Sequence, residues 1–177
     1  GAGVLLWHQH QHQLNRAIVI RAAEVTTNLQ ITLKEQAFGL AMATQLIAAD
    51  KSVQQALSEG DADRLLAAWW PVFETMNRES HLTHFYFFDA RRICLLRIHK
   101  PEKKGDRIDR FTAQEAERTG KLASGIELGP LGTFTLRVVQ PVYADGSLVG
   151  YVELGKEIED VLQAITPHSG TQLAVVI

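Results

Sequence analysis

Residues 4–50 contain no Pro and a single Gly, Gly39, and this property constrains the fold more than any other. Pro removes an amide donor and clashes with the preceding helical turn, and Gly weakens a helix through its backbone entropy. A long stretch nearly free of both can be helical throughout. The apolar residues carry the matching period. Leu14, Ile18, Ala22, Val25, Leu29, Leu33, Ala37, Leu40, Thr44 and Ile47 follow one another at spacings of three or four, which is one stripe on a 3.6-residue helix. Asn15, Glu24, Asn28, Lys34 and Gln45 occupy opposite positions. A helix over residues 14–49 would be about 54 Å long at 1.5 Å per residue, whereas a compact domain of this chain length is about 40 Å across. Such a helix should project, and its projecting stripe calls for a partner. A second copy of the chain is the simplest one, and a helix folded back on its own domain is the alternative.

The rest of the chain, residues 51–177, carries most of the 13 Gly and all 5 Pro and reads as a mixed body. Short helices are expected over 52–57 and 63–69, with Pro71 starting a new helix or kinking the old one. Strands are expected over 82–88 and 93–99, joined by the turn Asp89-Ala90-Arg91-Arg92. Thr112 and Glu115 have the spacing of a capping box for a helix over 113–119, which Gly120 closes. Strands over 124–128, 133–143 and 148–154 follow, the last two joined by an Asp145-Gly146 hairpin turn. A helix over 156–165 and a strand over 173–177 complete the expectation. The fold class is therefore α+β: a long N-terminal helix over residues 1–50, packed on a PAS-like, five-stranded antiparallel sheet in residues 51–177.

With 177 residues and 46% hydrophobic composition, the chain can bury a real core. Its 18 basic and 20 acidic side chains argue against a general nucleic-acid binder, which needs a basic surface. The single Cys94 excludes an intrachain disulfide framework and a CxxCH haem attachment. No apolar run is long enough to span a bilayer. The chain opens on Gly1-Ala2-Gly3 and so reads as an excised segment. Val4-Leu5-Leu6-Trp7, followed at once by a His/Gln tract, reads either as the last turn of a truncated transmembrane helix or as a frayed, solvated terminus.

Several runs of residues resemble one known family. They are Leu82-Thr83-His84-Phe85-Tyr86-Phe87-Phe88-Asp89, the run from Leu95 through Arg97, His99 and Pro101 to Gly105-Asp106, Ser124-Gly125-Ile126-Glu127-Leu128-Gly129-Pro130-Leu131-Gly132, Pro141-Val142-Tyr143 and Gly150-Tyr151-Val152-Glu153-Leu154-Gly155. Together they look like extracytoplasmic Cache sensor domains, in particular the variant called double Cache domain 3. The resemblance covers roughly residues 14–165. It implies a periplasmic ligand-sensing domain of a bacterial inner-membrane receptor, whose cytoplasmic part is a chemotaxis signalling region, a histidine kinase or a diguanylate cyclase. Only one PAS-like module is visible here, which departs from the double arrangement.

Strand alternation points to a ligand site. Arg97 and His99 share one face of their strand, and Thr135 and Arg137 share one face of theirs. If the two faces coincide, both guanidiniums enter one cleft, where they repel unless an anion lies between them. Arg suits bidentate binding of a carboxylate or phosphate. Tyr86, Phe88, Trp70 and Tyr151 are the candidate aromatic wall, and Lys100, Asp106 and Arg107 lie in a loop placed to lid the cleft. The expected ligand is a small, carboxylate-like organic anion. The competing reading pairs each Arg with an internal acid, Glu127, Glu153 or Asp106.

His8 with His12, and His81 with His84, have spacings that can chelate; the first pair has no acidic or Cys partner nearby and the second lies at a helix-to-strand junction, and no metal site is expected at either. Cys94, on the face opposite Arg97, reads as a small buried hydrophobe. No catalytic motif and no cofactor motif occurs, and no enzymatic activity is expected. The chain is thus read as a membrane-anchored, homodimeric sensor that signals through its helix. The alternative is a ligand-free PAS-like dimerisation module.

Overall fold

The computed structural model of the protein describes residues 2–129 and 133–159. Within the first helix, side chains are described at Arg16, Glu24 and from Thr26 onward. α1 runs over Ala2–Ala49. Asp50 ends it and caps α2 (Lys51–Glu59), its carboxylate accepting the Ser52 N–H at 2.7 Å. Gly60 takes the left-handed conformation that closes α2. Asp61 then caps α3 (Ala62–Ser80) by accepting the Arg64 N–H. Pro71 neither starts nor ends a helix, and α3 runs through it. Its exposed position leaves the lost hydrogen bond facing water. No helix among the described residues is long and apolar enough to cross a membrane. Val4–Trp7 and the His8/His12 pair lie where side chains are not described.

The strands are β1 (His84–Asp89), β2 (Cys94–Arg97), β3 (Ala123–Leu128), β4 (Phe134–Ala144) and β5 (Ser147–Glu157), with α4 (Phe111–Thr119) between β2 and β3. They form one antiparallel sheet in the order β2-β1-β5-β4-β3. The Asp145-Gly146 turn has positive φ at both residues, as a tight hairpin requires. β5 is longer than the sequence indicated and takes in Lys156 and Glu157, which were expected to open a helix. The expected strand over 173–177 lies outside the described residues.

The capping box expected at Thr112 is not formed. α4 starts two residues earlier, at Phe111, and the Thr112 N–H donates to Glu127 Oε1 of β3 at 2.7 Å. Glu115 pairs with Arg118 instead. An acceptor from β3 has replaced the local one.

The two sheet faces have different covers. Phe85, Phe87, Leu96, Ile98, Leu136, Val138, Val152 and Leu154 pack against α1, α2 and α3. Phe88, Tyr151, Val139 and Cys94 pack with Ala113 and Ala116 of α4 on the other face. Because both faces of β1 are covered, its apolar run is unbroken rather than alternating. Within α1, Leu40, Thr44 and Ile47 are buried and Ala37 packs against them. The C-terminal part of the predicted stripe is therefore folded onto the chain's own sheet. The outward face of the same segment carries a second apolar row, Ile31, Phe38, Met42 and Leu46, with Phe38 69% and Leu46 72% exposed.

Candidate functional site

α4 covers only one end of its sheet face. Toward the other end the segment between β2 and α4 arches over the strands and leaves a cavity of about 950 Å³. Strand register dictates its floor. Tyr86 lies opposite Arg97 on one side and Glu153 on the other. One step along, His84, Gly155, Arg137 and Gly125 align across four strands. The two glycines flank Arg137 on the neighbouring strands. A methyl group on Gly155 would stand 3.1 Å from Thr135 and 3.2 Å from His84.

The charged groups of the floor form a nearly closed ring. Arg137 Nη1 donates to Glu153 Oε1 at 2.6 Å, and Arg110 Nη2 donates to Glu153 Oε2 at 2.5 Å. Glu127 Oε2 lies 3.5 Å from Arg110 Nε and 3.6 Å from Arg137 Nε, within ion-pairing range but long for hydrogen bonds. Two guanidiniums thus alternate with two carboxylates. Arg97, beside the ring, is bound bidentately by Asp106 at 2.8 and 2.7 Å and also donates to Lys103 O. All three guanidiniums stack around Tyr86, with Cζ 5.1, 5.1 and 6.0 Å from its ring centre.

Two uncharged imidazoles complete the wall, their rings 5.1 Å apart. Burial pushes His84 down to about 3, helped by the charges of Arg137, His99, Arg110 and Lys100. Burial also takes His99 down to about 4, with Lys100, Arg97 and Arg137 acting in the same direction. His99 Nδ1 accepts the Phe85 N–H at 3.3 Å, so the proton of the neutral ring is on Nε2. The hydrogen bond from Arg97 keeps the Asp106 carboxyl below the usual carboxylate range.

The structure brings five of the eight predicted site residues to this cavity: Tyr86, Arg97, His99, Thr135 and Arg137. Phe88 and Tyr151 share the correct sheet face but lie further along it, buried beneath α4 and stacked on each other at 5.2 Å. Trp70 belongs to α3, whose core contacts are with the opposite face, and its ring packs against Phe73. Alternation assigns a face but not a distance along the strand, and the cover of each end depends on tertiary packing. Each of the two predicted arginines does meet an internal acid, Arg97 with Asp106 and Arg137 with Glu153 and Glu127.

His84 and Arg110 were not anticipated at this site. His84 had the same strand parity as Tyr86, a readable signal. Arg110 precedes α4 in an irregular segment and gave none. Cys94 is buried, and burial raises its thiol to about 11. Among the described residues no group of three or more His, Cys, Asp or Glu is arranged to hold a metal ion.

Comparisons with known proteins accord with this architecture. No curated protein sequence matches the chain. The sensor domain of Escherichia coli DcuS is 19% identical, with a TM-score of 0.63 over 76% of this chain and 98% of that one. The sensor domain of the Vibrio cholerae histidine kinase DctB is 15% identical, with a TM-score of 0.69 over 87% of this chain. The ligand-binding domain of the Pseudomonas aeruginosa amino-acid chemoreceptor PctC, solved with GABA, is 14% identical, with a TM-score of 0.54 over 81% of this chain. The chain spans 61% of the DctB domain and 63% of the PctC domain. A family profile described as the double sensory domain of two-component sensor kinases matches residues 19–177. The fold, the cavity and this match agree, and the chain belongs to the dCache_3 family of Cache sensor domains.

Proposed function

We propose that this domain is the periplasmic ligand-sensing part of a bacterial inner-membrane receptor that binds a small organic anion in the cavity. The supporting observation is the convergence of three guanidiniums, two neutral imidazoles and the Thr135 side chain on one open space. PctC, a structural neighbour, was solved with a small carboxylate-bearing ligand. Binding at the floor would act on β4 and β5, whose opposite faces meet α1. Glu153, Gly155 and Glu157 alternate along β5 with Leu154 and Lys156, and Lys156 Nζ donates to Gln36 of α1 at 2.6 Å. A ligand that favours one setting of β5 thereby favours one setting of α1. The second apolar row on α1, Ile31 to Leu46, is the surface we assign to a second copy of the chain.

A thermal-shift screen of small carboxylates tests the site, with at least one expected to stabilise the domain. Arg97→Ala should abolish that shift. This variant is informative because the partners it orphans are exposed, the Asp106 carboxylate and the Lys103 carbonyl, so the fold should survive. A shift that persists in the variant removes the site assignment. The alternative, a ligand-free dimerisation module, draws support from the completeness of the internal ion pairs. It predicts no stabilisation by any anion.

A further inference from the structure

The floor of the cavity is rich in hydrogen-bond donors yet electrically balanced. Arg97, Arg110 and Arg137 are matched by Asp106, Glu127 and Glu153. Near the mouth, Lys100, Lys103 and Lys104 face Glu102 and Glu157, which leaves one positive charge unmatched. Most carboxylate oxygens of the floor are also occupied as acceptors. Both oxygens of Glu153 and of Asp106 accept guanidinium hydrogen bonds. Glu127 Oε1 accepts the Thr112 N–H, whereas its Oε2 is ion-paired with the two Nε atoms without a hydrogen bond. Donors remain. Among the described residues Arg110 Nη1 and Arg137 Nη2 have no protein acceptor, and His99 presents its Nε2–H.

We infer that the cavity selects a monocarboxylate whose other polar groups are neutral hydrogen-bond acceptors, a hydroxy or keto acid, over dicarboxylates and over amino acids. This rests on the reading of the cavity as a ligand site. One carboxylate uses the idle guanidinium donors and matches the single surplus charge. A second carboxylate would enter a balanced floor with no cation left for it. At the floor an ammonium group would meet guanidinium and imidazole donors and carboxylates already held by arginines, and a buried donor without an acceptor is costly.

Three ligands with the same four-carbon chain separate these cases: 4-hydroxybutyrate, GABA and succinate, titrated against the purified domain by calorimetry. The expected result is that 4-hydroxybutyrate binds at least about tenfold more tightly than either of the others. Succinate or GABA binding as tightly or more tightly, with binding abolished by Arg97→Ala, overturns the inference while the site reading stands. If none binds, or if binding survives Arg97→Ala, the site reading itself falls. A second arm changes the charge directly. Glu127→Gln keeps the acceptor for Thr112 but adds one surplus positive charge, and Asp106→Asn does the same at an exposed position. Each should move the succinate to 4-hydroxybutyrate preference toward succinate by about tenfold. An unchanged ratio in both variants refutes the charge argument.

Discussion

Glu153 is fully buried and holds two guanidiniums at once. Removing one member of a buried ion pair leaves its partner charged in a poor solvent, which costs about 3–5 kcal/mol. Glu153→Ala should therefore lower unfolding stability by about that amount in urea titration. Asp106→Ala removes a carboxylate that is 56% exposed from a guanidinium that is 12% exposed but also bonded to the Lys103 carbonyl, and should cost less than Glu153→Ala. The two imidazoles add a pH dependence with a definite sign. Unfolded His takes up a proton near pH 6.5, whereas His84 and His99 resist it down to about 3 and 4. The unfolded state thus binds more protons between those limits. Stability should be complete above about pH 6.5 and fall as pH is lowered from there toward 4. Replacing both residues with Gln should flatten that part of the profile in thermal melts.

The sheet depends on close strand approach at Gly150, where a Cβ would run into the carbonyl oxygen of Phe88 on β1. Gly150→Ala should destabilise by about 1–3 kcal/mol, the range for forced overpacking, measurable in denaturant melts. At this scale most of the fold was readable from the sequence. Pro-free, 3.6-periodic residues predicted α1, and aromatic and β-branched runs with punctuating turns predicted five strands. The failures share a cause. The Thr112–Glu115 pattern was a valid local signal, but Glu127 outcompeted it from a distant strand. Phe88 and Tyr151 had the correct parity, yet α4 covers their end of the face. Arg110 acts from an irregular segment with no period to read. Local chemistry sets faces and caps, whereas the boundary between open cavity and closed core is set by long-range packing.

For the whole molecule, α1 is the element that leaves the body. Its 48 residues span about 72 Å, and it carries apolar rows on opposite sides where it crosses the sheet. The inner row is committed to the core, so association should depend on the outer one. Leu46→Glu combined with Phe38→Glu should weaken or abolish self-association in sedimentation equilibrium while the melting temperature stays nearly unchanged. Leu40→Ala, on the inner row, should instead destabilise the fold by about 2–5 kcal/mol. The ring of two arginines and two carboxylates has a further consequence, for how this sensor domain can diversify. No single exchange within the ring is neutral, because each member removed strands another. Descendants with new ligand preferences are therefore expected to alter the ring only by paired exchanges. Single changes are tolerated instead at Lys100, Lys103 and Lys104, where the charge is exposed. The loop, rather than the floor, is the part of the site free to drift.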